Sequence, residues 1–207
     1  MIYRSGQVYV KQGTDHIVYD HSFPSYAKGV VVPHCLYDES RNTGYVTLGT
    51  SKDTSEFACD SIALWWEQEI CWHYLWATKL ILRCDGGGSN SSRSWLMKQD
   101  FQDLATRIGL PVQIQHYPPY CSKYNRIEHR LFPHLTRQWD GVIFQDYEMV
   151  NTLTEQTTTK TGLTVKATIH KKTYLTGRQA DAEKVETLNM IRHDTLGKWN
   201  YTFYPKL

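Results

Sequence analysis

Nowhere in the 207 residues are there roughly 18 consecutive apolar residues, which excludes a membrane-spanning helix on sequence grounds. The opening residues, Met1-Ile-Tyr-Arg-Ser-Gly6, lack a basic segment leading into an apolar one. No secretory signal is therefore expected, and a cytoplasmic location is. Cysteine is sparse: five residues, none spaced as Cys-x-x-Cys. An odd count without that spacing argues against a disulfide framework and against a structural zinc site. Internal repeats and low-complexity tracts are missing too. So is a strong excess of one charge, since 23 Lys and Arg face 21 Asp and Glu for a net charge of +2. That balance is too weak to mark a nucleic-acid binder by itself. What is present is enough to build a core: 41% of residues are apolar and 13% aromatic. The length suits one domain with a small appendage.

Two stretches stand out. In Leu80-Ile-Leu-Arg-Cys-Asp-Gly-Gly-Gly-Ser-Asn90, an apolar run leads straight into Asp85 and three glycines, Gly86, Gly87 and Gly88. Such a run bounded by turn residues reads as a buried strand. A carboxylate at its tip lies where open α/β sheets place their ligands. The second stretch, Tyr117-Pro-Pro-Tyr-Cys-Ser-Lys-Tyr-Asn-Arg-Ile-Glu-His129, is a double-proline stop followed by a helix start. Ser122 is the expected N-cap, Asn125 and Glu128 share a helical face, and Ile127, Leu131 and Leu135 form the buried stripe. Lys123, Arg126, Arg130 and Arg137, with His129 and His134, surround the single acid Glu128 between Ser122 and Trp139. A basic helix of this kind suits a polyphosphate partner or is simply a solvated charged face.

The rest of the chain reads as alternating elements. A short strand is expected at Gln7–Val10. Gly29–Tyr37, with Pro33 near an edge, turns through Asn42-Thr-Gly44 into Tyr45–Gly49 as a hairpin. Asp53-Thr-Ser-Glu56 resembles a capping box, opening a helix to about Trp76 whose Ala58, Ile62, Trp65, Trp66, Trp72 and Trp76 pack in the core. A helix with Met97, Phe101, Leu104 and Ile108 stops at Gly109. Pro111–Tyr117 is a half-apolar strand, expected nearer the sheet edge than Leu80–Cys84 and parallel to it. A helix near Asp146–Thr157, a strand with Val165, Ala167 and Ile169, a short helix near Ala180–Arg192, and a strand with Trp199, Tyr201 and Phe203 on one face close the chain. Residues 1–143 are expected to form an α/β core, a mixed sheet flanked by helices, and 144–207 a small α+β C-terminal extension.

Chemically, the expectation is that Asp85 and Glu128 meet and share metal. Magnesium and manganese prefer oxygen ligands and keep places for water and phosphate oxygens. Two such ions can clamp an in-line phosphoryl displacement. Asn125 could orient Glu128, while Lys123 and Arg126 could hold DNA backbone. Blander roles stand beside these: a turn at Asp85, a solvated helix residue at Glu128, and a capping role for Asn125. His116 and His129 read as hydrogen-bonded structural imidazoles, and Cys84 and Cys121 as small buried hydrophobes.

The segments Cys84-Asp-Gly-Gly-Gly-Ser-Asn90 and Pro118-Pro-Tyr-Cys-Ser-Lys-Tyr-Asn-Arg-Ile-Glu-His-Arg-Leu-Phe132 closely resemble the ISAzo-type, or Rhodopirellula, family of DDE insertion-sequence transposases. Tyr37-Asp-Glu-Ser-Arg-Asn-Thr-Gly44, Thr157-Thr-Thr-Lys-Thr-Gly-Leu163 and Gly197-Lys-Trp-Asn-Tyr201 are similar to it as well. The resemblance implies a ribonuclease-H-like fold, two Mg2+ or Mn2+ ions, and three acids, of which Asp85 matches the second and Glu128 the third. Gly86, Gly87, Gly88, Asn90, Asn125 and His129 are expected to support the site, and Lys123, Arg126 and Arg130 to contact DNA. The first acid would end a central strand upstream of Tyr3-Arg-Ser-Gly6, so the chain is expected to be truncated at its N-terminus. Asp38, which follows an apolar run, is a candidate first carboxylate on its residues alone; the resemblance aligns it with a hairpin residue instead.

Three functional readings follow. The leading one is the C-terminal catalytic-domain portion of a DDE transposase, inactive alone for want of the first aspartate. The intact family would cut DNA with metal-activated water and then use a 3′-hydroxyl to attack target DNA. The alternatives are a ribonuclease-H-like nuclease and a non-catalytic DNA-binding or oligomerising remnant. Expected partners are transposon-end and target DNA and further transposase copies, with no membrane and no small-molecule cofactor.

Overall fold

The computed structural model describes Ile2 and residues 29–85, 92–118 and 120–206, with Ser122 by its backbone alone. The expected strand at Gln7–Val10, together with Gly86, Gly87, Gly88 and Asn90, lies outside these residues. In chain order, β1 (Val32–Asp38) and β2 (Thr43–Gly49) precede α1 (Ser55–Trp65), which continues through a π-helical turn (Trp66–Ile70) into α2 (Cys71–His73). Then come β3 (Leu80–Cys84), α3 (Trp95–Ile108), β4 (Val112–His116) and a 3-10 turn (Ser122–Tyr124). Next are α4 (Ile127–Arg130), α5 (Phe132–Trp139) and α6 (Tyr147–Glu155). The chain ends with β5 (Thr164–His170), α7 (Ala182–Glu186), β6 (Met190–Arg192) and β7 (Asn200–Phe203). These elements form two compact units, Met1–Lys52 with Arg126–Thr173, and Asp53–Asn125 with Tyr174–Leu207. Each has its own mixed sheet, β1-β2-β5 in the first and β3-β4-β7-β6 in the second. The chain is thus α/β with two mixed sheets and helices packed on them.

In the first unit, β1 and β2 form the expected antiparallel hairpin, with Val32 opposite Gly49 and Asp38 opposite Thr43. Asp38 is a turn residue, because its Oδ1 accepts from the backbone N–H of Ser40 at 2.9 Å and Arg41 at 3.2 Å. Asn42 supplies the left-handed backbone that a tight turn needs, at φ 52°. Pro33 sits on β1, an edge strand of this sheet, where a missing N–H costs little. On the other side of β2, β5 pairs in parallel, so β2 is interior and all seven of its residues are buried. Val46, Leu48 and Val165 join Leu131, Leu135, Phe144 and Val150 in this unit's core.

The expected single helix over Glu128 is broken at Leu131, whose φ of −124° is not helical. Pro133 opens α5, as suits a residue without an N–H at a helix start. Leu131 and Leu135 are buried as expected, and Leu131 packs so close to Gly44 that a Cβ there would lie 2.6 Å from Leu131 Cδ1. A glycine in the interior strand is what lets the chain after Glu128 dock on the sheet. Ser122 belongs to a separate 3-10 turn and does not cap α4, whose N-cap is Arg126 without a side-chain hydrogen bond. Asn125 precedes α4 and so does not share its helical face with Glu128.

In the second unit, β3 and β4 pair in parallel, Leu80 with Val112 through Cys84 with His116. The expected order of centrality is reversed. β4 is interior, flanked by β3 and by β7, whereas β3 is an edge strand among the described residues. The half-polar β4 tolerates an interior place because β7 supplies partners: Gln113 Nε2 donates to Asn200 Oδ1 at 2.8 Å, and Val112 and Ile114 are fully buried. β3 instead alternates, with Leu80, Leu82 and Cys84 half-buried and Ile81 and Arg83 exposed. Helix α3 is capped by Ser94 and stopped at Gly109, φ 68°, as its sequence indicates. Phe101 of α3 stacks on Phe203 of β7 at 6.3 Å, and Tyr201 and Phe203 are buried.

Two further expectations need correction here. The N-cap of α1 is Thr54, accepting from Phe57 N–H, so Glu56 stands one place too early for a capping box. The aromatic stripe holds only to Trp65 and Trp66; Trp72 is 69% and Trp76 93% exposed. The π-helical turn between them widens the hydrogen-bonded loop and shifts the helical phase, so the stripe cannot continue on one face. The region expected to be helical to Arg192 ends at Glu186, and Met190–Arg192 pair with β7 as a strand.

Candidate functional site

Asp85 follows β3 directly and is exposed, continuing the Ile81–Arg83 phase of the strand. It stands at the carboxyl end of a strand paired in parallel, the end at which open α/β sheets bind ligands. The backbone here is tied to β4. Tyr117 N–H donates to the Cys84 carbonyl at 2.9 Å, and His116 Nδ1 lies 3.2 Å from the Asp85 carbonyl. His116 is buried, and burial lowers its pKa below the ordinary imidazole value, against an opposing effect of Asp85. Cys84 is pushed up to about 12 by burial and then by Asp85.

Both ring nitrogens of His116 are engaged, Nδ1 at Asp85 O and Nε2 at the Tyr201 hydroxyl, so its imidazole is committed to the framework at the end of β3. What is offered is an exposed carboxylate, an oxygen donor that fits magnesium or manganese. Among the described residues, no group of three or more His, Cys, Asp or Glu side chains comes together as a metal cluster.

Glu128 lies in the first turn of α4 and is half-buried. It belongs to the first unit and Asp85 to the second, with the division falling between Asn125 and Arg126. Asn125 is buried, whereas His129 and Arg130 are exposed. Lys123 is exposed with its Nζ 5.1 Å from the Tyr124 ring centroid. Arg126 is 63% exposed and its Nε lies 3.2 Å from Glu39 Oε2. An ion pair that open contributes about 0–1 kcal/mol, so it leaves Arg126 available to a phosphate.

A charged cleft in the second unit escaped the sequence reading altogether. It has a volume of about 190 Å³ between α1 and α3. Arg178 reaches across it to Glu56 Oε2 at 2.8 Å and Asp100 Oδ1 at 3.1 Å, and Ser55 Oγ also donates to Asp100. Arg107 forks onto Glu67 with two bonds of 2.7 Å. Asp100 is only 4% exposed, and its carboxyl is pushed up by burial against the lowering effect of Ser55 and Arg178. Arg178 meets Glu56 and Asp100 and Arg107 meets Asp60 at 3.3 Å, so the cleft reads as a clasp holding the chain around Arg178 to α1 and α3. Arg178→Met should cost about 3 kcal/mol of stability, because it strands a buried carboxylate. Urea unfolding would show this as a lower midpoint, and the deficit should shrink in Arg178→Met/Asp100→Asn. No local pattern announced it, since Asp100 and Arg178 are 78 residues apart.

Comparison with known proteins bears on the two motifs. A family model described as the Rhodopirellula transposase DDE domain matches residues 1–205. No curated protein and no solved structure matches. The chain belongs to the Rhodopirellula transposase DDE-domain family.

Proposed function

We propose that this member of the family is the portion of a DDE transposase that carries two of its metal-binding carboxylates, Asp85 and Glu128, and that it acts on DNA. The observation that carries the reading is Asp85 at the carboxyl end of β3 beside parallel β4, in a chain matched over residues 1–205 by the DDE-domain family. The two mixed sheets flanked by helices are compatible with a DDE domain. Asp85 and Glu128 would hold Mg2+ or Mn2+, two ions in the complete site. Bound divalent cations supply charge to a phosphodiester undergoing in-line displacement and make water more acidic. Gly86, Gly87, Gly88 and Asn90 would shape the approach to Asp85, and Asn125 and His129 would support Glu128. Lys123, Arg126 and Arg130 would hold DNA phosphates, fixing the register of the duplex without reading its sequence.

On this reading the 207 residues bind DNA through contacts to its phosphates. Incubating the purified protein with magnesium and plasmid DNA carrying the element's ends tests this. Retarded migration of the plasmid that weakens as salt rises is the expected result; unchanged migration at low salt would overturn the reading.

A further inference from the structure

The end of β3 is held by a three-residue chain of contacts that the two motifs do not include. Tyr201 Oη lies 2.6 Å from His116 Nε2, and His116 Nδ1 lies 3.2 Å from the Asp85 carbonyl oxygen. All three residues belong to the second unit. A carbonyl oxygen can only accept, so Nδ1 must carry the ring's proton. In a neutral imidazole Nε2 is then the acceptor, and the Tyr201 hydroxyl donates to it. The Asp85 carbonyl thereby fixes the tautomer, and the Tyr201 hydroxyl satisfies Nε2 and holds the ring in place. Cys84 Sγ, 3.5 Å from the same Nδ1, sits on the near side of the ring. Tyr201 is 1% and His116 6% exposed, and their rings lie 5.6 Å apart at 44°.

The framework around this chain is rigid. His116 N–H donates to Trp199 O at 2.8 Å, which ties β4 to the residue entering β7. Tyr117 N–H holds the carbonyl of Cys84, so two successive carbonyls, those of Cys84 and Asp85, are anchored to β4. The Asp85 side chain is exposed while its peptide is pinned. A carboxylate at the end of a strand keeps its direction best where its own peptide is fixed.

We propose that His116 and Tyr201 are positioning residues for Asp85: the Tyr201 hydroxyl holds the His116 ring through Nε2, and the Nδ1–H so placed holds the Asp85 peptide and aims its carboxylate. This rests on the reading of Asp85 as a metal-binding carboxylate. Neither residue touches cation or DNA in this role; both act through Asp85. Asparagine at position 116 keeps an amide N–H near the place of Nδ1, whereas glutamine places one near Nε2. The two substitutions therefore separate a hold on Asp85 from a hold on Tyr201.

Mn2+ affinity, read by electron paramagnetic resonance on the full 207-residue chain, is the test, with thermal unfolding of each variant alongside. His116→Gln should weaken Mn2+ binding by about 10-fold or more, the range typical of losing a group that orients a metal-binding side chain. His116→Asn should stay within about threefold of the parent despite a similar loss of thermal stability. Should both fail to fold, Tyr201→Phe serves. It should weaken Mn2+ binding, while in 15N spectra the His116 ring keeps the Nδ1–H pattern and its Nε2 resonance shifts with loss of the hydroxyl. Equal weakening by His116→Asn and His116→Gln would overturn the proposal, as would an Nε2–H ring in the parent protein. If Asp85→Asn leaves Mn2+ affinity unchanged, the metal reading of Asp85 fails and the positioning role falls with it. Loss with Asp85→Asn but none with His116→Gln or Tyr201→Phe overturns the positioning role alone.

Discussion

Asp85→Asn should weaken Mn2+ binding on the order of 100-fold or more, beyond the loss expected for a group that only orients a ligand. The substitution removes a unit of negative charge and keeps the side chain's shape. Hard divalent cations are held chiefly by such charge, so an amide oxygen is a poor replacement. Stability should barely move, within about 0.5 kcal/mol, because Asp85 is exposed and its structural bonds run through its backbone carbonyl. Glu128→Gln should behave likewise, being half-buried in the first turn of α4. Isothermal titration with Mn2+, paired with urea unfolding, measures both quantities. A large fall in affinity with an unchanged unfolding midpoint is the expected pair of results. Unaltered Mn2+ binding in either variant would remove that residue from the site.

The second large effect concerns DNA. Arg126→Ala and Arg130→Ala together should lower the slope of log affinity against log salt by about 2, one for each phosphate that is no longer neutralised. Loss of affinity should be similar for unrelated duplex sequences, since binding to phosphates carries no sequence information. Lys123→Ala should lower the slope by about one more. Glu39 gives an internal control. Its pairing with Arg126 at 3.2 Å competes with a phosphate, so Glu39→Gln should strengthen binding at low salt and lose that advantage as salt screens the pair. Fluorescence anisotropy across a salt series reads all of these. Slopes unchanged in the Arg126/Arg130 double variant would assign the basic run of this segment to solvation alone.

Local chemistry makes part of this protein legible in its sequence. The hairpin can be read because a turn needs left-handed backbone and Asn42 supplies it. Helix α3 can be read because Met97, Phe101, Leu104 and Ile108 state its face and Gly109 its stop. Val112 and Ile114 on β4, and Tyr201 and Phe203 on β7, are buried on the faces their alternation indicates. The two motifs point to the same family as the match over residues 1–205.

What could not be read depends on partners far away in the chain. β4 looked peripheral because Gln113 and Gln115 break its apolar character; Asn200, 87 residues later, supplies the partner that Gln113 needs. Trp72 and Trp76 looked buried because periodicity was extended through a π-helical turn that a sequence pattern does not announce. The break at Leu131 follows from its seating on Gly44, a contact between residues about 90 apart in the chain. Of the proposed site, Asp85 and Glu128 were visible as motif residues, whereas His116 read as a structural imidazole and Tyr201 as one of an alternating aromatic set, with nothing to join them. Their bond at 2.6 Å exists because β7 pairs with β4 in one particular register.

The central claim is that Asp85 and Glu128 serve the same cations, and a double-mutant cycle on Mn2+ affinity tests it most directly. Parent, Asp85→Asn, Glu128→Gln and the combined variant are titrated under one set of conditions. If the two carboxylates share ions, removing the second costs much less once the first is gone, with a coupling of at least about 1 kcal/mol. Losses that simply multiply, as for sites acting independently, would contradict it.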